Sequence, residues 1–221
     1  MATIVTDVWE LDIPAEVQDL EAFRHWAHSD GFPEHGRIWW LDGKVWADMG
    51  QEQLFTHNLL KTQIAAVLTA IVDGENLGLL FGNGVLLSNF TADISGNPDA
   101  TFLSAATLAS DRVRLIEGAE TGFVEIQGSP DMVLEVVSRS SKQKDQVLLR
   151  RAYWEAGIRE YWLADARGTR PTLEILRCGS RGYIVTKPVD GWIRSPAFGR
   201  SFQLTQSRGV GGYPRYRLNV R

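Results

Sequence analysis

Apolar positions along the chain switch between a helical spacing and a strand-like alternation. Val17, Leu20, Phe23 and Trp26 recur every three residues, which predicts an amphipathic helix over Glu16–His28, stopped by Gly31 and Pro33. Arg37–Leu41 and Lys44–Met49 are aromatic-rich runs flanking Asp42-Gly43, a dipeptide that favours a two-residue hairpin turn. Leu60, Ile64, Val67, Leu68 and Ile71 form the buried stripe of a second helix over Thr56–Val72, with Thr56 as its N-cap. Short strands follow at Leu79–Phe81 and Val85–Leu87, and Pro98 opens another apolar run at Ala100–Leu103. Arg112–Ile116 and Gly122–Gln127 read as paired strands around a turn at Glu117–Thr121.

From Gly128 to Asp165 the pattern is strand, helix, strand. Met132–Val137 is an apolar, β-branched run, Lys142–Ala156 is a helix closed by Gly157, and Glu160–Ala164 is a second strand. This is a βαβ unit. Beyond Pro171, short strands at Thr172–Arg177, Tyr183–Lys187 and Tyr213–Val220 form a β-rich extension on the core or a dimer surface.

One carboxylate interrupts the strand Met132–Val137. Glu135 alternates with Val133 and Val137 on one sheet face, and a carboxylate there is paired, hydrogen-bonded, metal-bound or protonated. Asp99 follows Pro98 at a strand start, and Asp131 follows Pro130 at another; both positions also suit a plain turn residue. Leu148, Leu149, Ala152, Tyr153 and Ala156 are the buried stripe of the following helix. Stepping back four residues puts Lys144 and Asp145 on the same, sheet-facing side, where the lysine snorkels along the core or reaches a cleft at the strand end. His57 opens the long helix as a structural residue or a ligand. No zinc HExxH pattern, P-loop or GxSxG elbow occurs.

Composition narrows the class. The 221 residues are 44% apolar and 23% charged, as in a single globular domain with a sizeable core. Cys178 is the one cysteine, which excludes an intrachain disulfide and a thiolate metal cage and suits a cytoplasmic protein. No apolar run is long enough to span a bilayer. The net charge of −4 disfavours nucleic-acid binding by bulk charge and demands a local basic patch, such as Arg139, Lys142, Lys144, Arg150, Arg151 and Arg159.

Pro98-Asp99, Gly128-Ser-Pro-Asp-Met-Val-Leu-Glu-Val-Val-Ser138 and Ala156-Gly-Ile-Arg-Glu-Tyr-Trp-Leu-Ala-Asp165 closely resemble the Uma2 family, bacterial endonucleases of the PD-(D/E)XK restriction-nuclease superfamily. Leu41-Asp42-Gly43 and His57 fit its N-terminal half, and the resemblance spans Gly36–Asp165. It implies an α+β, restriction endonuclease-like core with a mixed sheet flanked by helices over 36–168, between an N-terminal helical extension (1–35) and a β-rich C-terminal one (169–221). It further implies Asp99 and Glu135 as ligands of Mg²⁺ or Mn²⁺, the backbone carbonyl of Val136 as a third, and DNA as substrate; a homodimer is a separate expectation, with the C-terminal strands as a candidate dimer surface. The superfamily lysine two residues past the glutamate is absent, because Val137 stands there; the commonest Uma2 helix lysine would fall near Leu149. Lys144 is then the catalytic candidate and Lys142 the alternative, with His57, Asp131 and Asp145 in support. Trp39 or Trp40 stands where many members have a glutamate before the hairpin. Three readings follow: a metal-dependent DNA endonuclease, a non-catalytic DNA-binding or assembly module on the same fold, or a paired-carboxylate glycosidase with a tryptophan-lined cleft.

Overall fold

The computed structural model describes residues 2–5, 10–33, 36–82, 84–119 and 122–221, with side chains from residue 11 onward. β1 (Ala2–Val5) and β2 (Glu10–Ile13) form an antiparallel hairpin ahead of α1 (Leu20–Ala27). The helix begins later than its apolar spacing predicts, because Asp19 is extended and its side chain accepts the Ala22 N–H at 2.8 Å. β3 (Arg37–Leu41) and β4 (Lys44–Asp48) form the expected hairpin. Asp42 and Gly43 both take positive φ, 56° and 68°, as a type I′ turn requires.

These strands belong to a six-stranded sheet in the order β4-β3-β7-β6-β10-β9. Its other members are β6 (Leu86–Asn89), β7 (Ile94–Gly96), β9 (Val113–Glu117) and β10 (Phe123–Gly128). The three-residue β7 is too short to leave a periodic signal. β9 and β10 pair as expected, and positions 120 and 121 of the turn between them lie outside the described residues.

A second sheet runs β14-β13-β12-β11-β8-β5. It comprises β5 (Gly78–Gly82), β8 (Ala100–Ser104), β11 (Met132–Val136), β12 (Glu160–Asp165), β13 (Thr172–Gly179) and β14 (Gly182–Val185). β11 and β12 are parallel and every other pairing is antiparallel, so the sheet is mixed. The parallel pair is the expected βαβ unit. The helix between them is a π-helical turn at Lys144–Leu148 followed by a short α-helix at Leu149–Glu155, and Gly157 closes it at φ 70°.

The long helix is also split. A π-helical turn at Leu54–Leu59 leads into an α-helix at Leu60–Gly74, and the Asn58 N–H reaches the Gln53 carbonyl at 3.0 Å. Gln53 caps the turn in place of Thr56: its side-chain oxygen accepts both the Thr56 N–H and the Thr56 hydroxyl.

Side-chain alternation along β11 divides the interior. Val133 and Val137 face the first sheet and the Leu149–Glu155 helix, packing with Trp39, Leu41, Tyr153 and Tyr161. Met132, Leu134 and Val136 face the long helix, packing with Leu60, Ile64, Leu68 and Val72. Each fully buried aliphatic side chain contributes about 2 kcal/mol to this packing. β15 (Ile193–Ser195), β16 (Arg200–Arg208) and β17 (Pro214–Val220) form a separate antiparallel sheet, which closes this second layer with Phe202, Tyr216 and Leu218. Among the described residues, no helix is long and apolar enough to cross a membrane.

Candidate metal centre and its cleft

Asp99 stands one residue before β8. The antiparallel register of β8 with β11 ends with Ala100 opposite Leu134, just short of both acids. The Asp99 N–H donates to the Leu134 carbonyl at 3.0 Å, and its Oδ2 accepts the Val136 N–H at 2.7 Å. Both acids are buried, Asp99 at 2% and Glu135 at 3% exposure.

From the long-helix side, Asp99 meets two residues, which a further carboxylate and an arginine hold in turn. His57 Nε2 lies 3.5 Å from Asp99 Oδ2, and Lys61 Nζ lies 3.5 Å from Oδ1. Glu52 Oε1 stands 2.8 Å from His57 Nδ1 and 2.5 Å from Lys61 Nζ. Arg37 Nη1 sits 3.1 Å from His57 Nε2. Arginine only donates and a carboxylate only accepts, so a neutral ring with its proton on Nδ1 satisfies both neighbours. Burial is the main cause of a lowered pKa at His57; Asp99 and Glu52 oppose it, and Arg37 and Lys61 reinforce it. Burial pushes Glu52 up, but hydrogen bonds from Asn58 and Lys61 and the charges of Lys61 and His57 outweigh it and leave a pKa of about 2. Ligand atoms of Glu52, His57 and Asp99 all lie within 4.8 Å of one another.

From the opposite face, Glu135 meets the second π-helical turn. Tyr153 donates its hydroxyl to Glu135 Oε1 at 2.8 Å. Burial raises the Glu135 pKa well above the carboxylate range; Lys144 opposes this, and the charges of Asp145 and Asp99 add to it. Lys144 Nζ is 3.0 Å from Asp145 and 4.3 Å from the centre of the Trp39 ring. The hairpin tryptophan thus offers its π face to the buried ammonium. Asp145 also accepts the Ser141 hydroxyl.

Of the candidates read from the sequence, Glu135, Lys144 and Asp145 form one cluster and Asp99 and His57 another, joined where Asp99 binds Val136. Asp131 is at the other end of β11, about 13 Å along the strand from Glu135 at about 3.3 Å per residue. It accepts the Ser104 N–H and Arg159 Nη1, both at 2.7 Å. Lys142 is exposed, and its charge acts on Asp165. The sequence reading missed Arg37, Glu52, Lys61 and Tyr153. The available signal was the gathering of Glu52, His57 and Lys61 at the start of an otherwise apolar helix.

A cleft of about 460 Å³ opens onto this centre, with Glu52 and His57 in its wall and Arg37, Arg139 and Arg167 around them. Arg167 is held by Asp165 at 2.6 Å and donates to the Ser138 carbonyl at 3.1 Å. Arg139 is exposed and makes no ion pair among the described residues.

The model of the Uma2 family, described as "Putative restriction endonuclease", matches residues 20–207. The chain belongs to the Uma2 family. Among solved structures, this Uma2 protein is similar to the crystal structure of "a putative nuclease belonging to DUF820" from Anabaena variabilis ATCC 29413. The two share 18% identity over 82% of this chain and 90% of that one, with a TM-score of 0.59, which establishes a shared fold. The α+β architecture with mixed sheets read from the sequence is the one observed. No curated protein matches the chain.

Proposed function

We propose that this Uma2 protein is a metal-dependent endonuclease that hydrolyses DNA phosphodiester bonds. The observation that carries the reading is the convergence of Glu52, His57 and Asp99 within 4.8 Å beside a cleft bordered by three arginines. The donor chemistry fits a divalent ion. Asp99 and Glu135, with the Val136 carbonyl, are the hard oxygen donors that Mg²⁺ or Mn²⁺ prefers. His57 Nε2 faces Asp99 while its Nδ1 side meets Glu52, and a carboxylate behind the ring is the usual way to orient an imidazole ligand. These residues would hold a divalent ion, which when bound would lower the pKa of a coordinated water and offset charge on the phosphate.

The remaining roles fall to this chain's own residues. Arg37, Arg139 and Arg167 place guanidinium groups where a phosphate enters the cleft. Lys144, beside Glu135, stabilises negative charge developing on the reacting phosphate. Tyr153 fixes the Glu135 carboxyl.

The test is nicking of supercoiled plasmid with Mn²⁺ or Mg²⁺ by wild type, Asp99→Asn and Glu135→Gln. Cleavage by wild type alone, abolished by chelation, is expected. Equal cleavage by all three proteins would overturn the assignment.

A further inference from the structure

A second groove, about 790 Å³, runs from the cleft over the C-terminal sheet and shares Thr56 and Arg167 with it. Three arginines line it, Arg167, Arg170 and Arg208, and no aspartate or glutamate does. That composition stands out on a chain of net charge −4. Arg170 and Arg208 are exposed and form no ion pair among the described residues, so their guanidinium groups are available to an anionic ligand. Tyr213, at the turn between β16 and β17, is 58% exposed. It stacks on Phe55 of the first π-helical turn, with ring centres 4.9 Å apart and planes 12° from parallel. Phe55 precedes Thr56 and lies two residues before His57, so one short turn joins the aromatic pair to the metal centre.

We infer that this groove binds the single-stranded segment of nucleic acid adjoining the phosphate in the cleft, with Arg170 and Arg208 on its backbone and Tyr213 as a base-stacking platform. The ligand class rests on the nuclease reading above. The choice of a single strand comes from the exposed aromatic: a duplex covers its base faces, whereas an unpaired base offers one to a tyrosine ring. Successive phosphates need a spaced row of cations rather than one deep pocket, and the shared Arg167 makes the row continuous with the cleft. Gly211 stands beside the ring at φ +64°; a side chain there would press within 3.1 Å of Tyr213.

The test is fluorescence anisotropy of a labelled fifteen-residue oligothymidylate in EDTA, across a salt series, with the full chain. EDTA separates binding from hydrolysis. The double variant Arg170→Ala/Arg208→Ala is expected to weaken binding at least tenfold at low salt and to flatten the log–log salt dependence by about one to two units. Tyr213→Ala is expected to weaken it about fivefold to a hundredfold with the salt slope unchanged, and Tyr213→Phe to restore it. Unchanged thermal midpoints confirm that the variants fold. Wild-type affinity and slope in the double variant would overturn the proposal, as would duplex DNA of equal length binding more tightly than the single strand. Oligonucleotide binding that depends on these residues in a protein that never nicks plasmid upholds the groove and ends the catalytic reading. Nicking with groove variants of unaltered affinity does the reverse.

Discussion

The Asp99 carboxylate accepts the backbone N–H of Val136 at 2.7 Å, so the acid just before β8 is tied to the main chain of the residue after Glu135. Positioning of this kind persists whatever occupies the cleft. It also separates two roles of Asp99, acceptor and charge. Asp99→Asn keeps an oxygen for the Val136 N–H and loses the charge. We expect it to retain a near-wild-type urea midpoint, to lose metal-dependent nicking, and to bind Mn²⁺ at least tenfold more weakly by calorimetry. Asp99→Ala leaves a buried N–H unsatisfied and is expected to cost about 1 to 3 kcal/mol besides.

Two buried lysines stand near the acids, and their surroundings predict different effects. Lys61 shares Glu52 with Arg37, so a cation remains beside Glu52 when Lys61 is removed. Lys144 faces Asp145 and acts on Glu135 from the same side, with Trp39 beneath it. Lys144→Met is expected to lower kcat for nicking about a hundredfold with KM little changed, the size seen when one transition-state donor is removed. Lys61→Met is expected to raise KM for metal more than it lowers kcat. Single-turnover cleavage over a metal titration checks both, and the opposite split between the lysines would reassign the role to Lys61.

Gly96 in β7 lies flat against the Trp39 indole. A Cβ there would fall 2.0 Å from Cε3 and 2.1 Å from Cδ2, and Trp39 is itself buried against Tyr153. The ring has nowhere to retreat. Gly96→Ala is expected to cost about 3 kcal/mol by overpacking, read as a fall in the chemical-denaturation midpoint. Displacing the indole also disturbs Lys144 above it, so the variant should lose nicking even where it remains folded.

Much of this arrangement could be read from the sequence. Strict alternation in Met132–Val137 put Glu135 on the face of Val133 and Val137, and the helix stripe brought Lys144 and Asp145 to the same side. Those inferences need only the periods of strand and helix. Lys61 escaped because it lies next to the apolar stripe, where a lysine reads as a solvent-facing flank. Glu52 escaped because it precedes the helix in a stretch without regular structure, and only the π-helical turn of Leu54–Leu59 brings it onto His57. Arg37 opens a hairpin strand fifteen residues before Glu52, and its approach depends on how that hairpin packs. Local periodicity cannot report a contact made by a widened turn or by tertiary packing.

Glu125 supplies a prediction away from the cleft. Its side chain is fully buried in β10 and is gripped from α1 by Arg24 at 2.6 and 2.8 Å and by His28 at 2.9 Å. Burial pushes its pKa up, but the hydrogen bonds of Arg24 and Ser88 and the charges of Arg24 and His28 outweigh this, and the net shift is downward. A carboxylate whose folded pKa lies below its unfolded one stabilises the fold above the unfolded value. That contribution fades as pH falls from the unfolded pKa through the folded one. Wild type should therefore lose stability between about pH 5 and pH 3, the range in which an unfolded carboxylate takes up its proton. Glu125→Gln should be less stable at pH 7, because Arg24 loses its counter-charge, and should show a shallower acid slope. Glu52, also held low, is present in both proteins, so the difference between their urea midpoints isolates Glu125. Parallel curves from pH 7 to pH 3 would show that the Arg24 contact contributes nothing to acid stability.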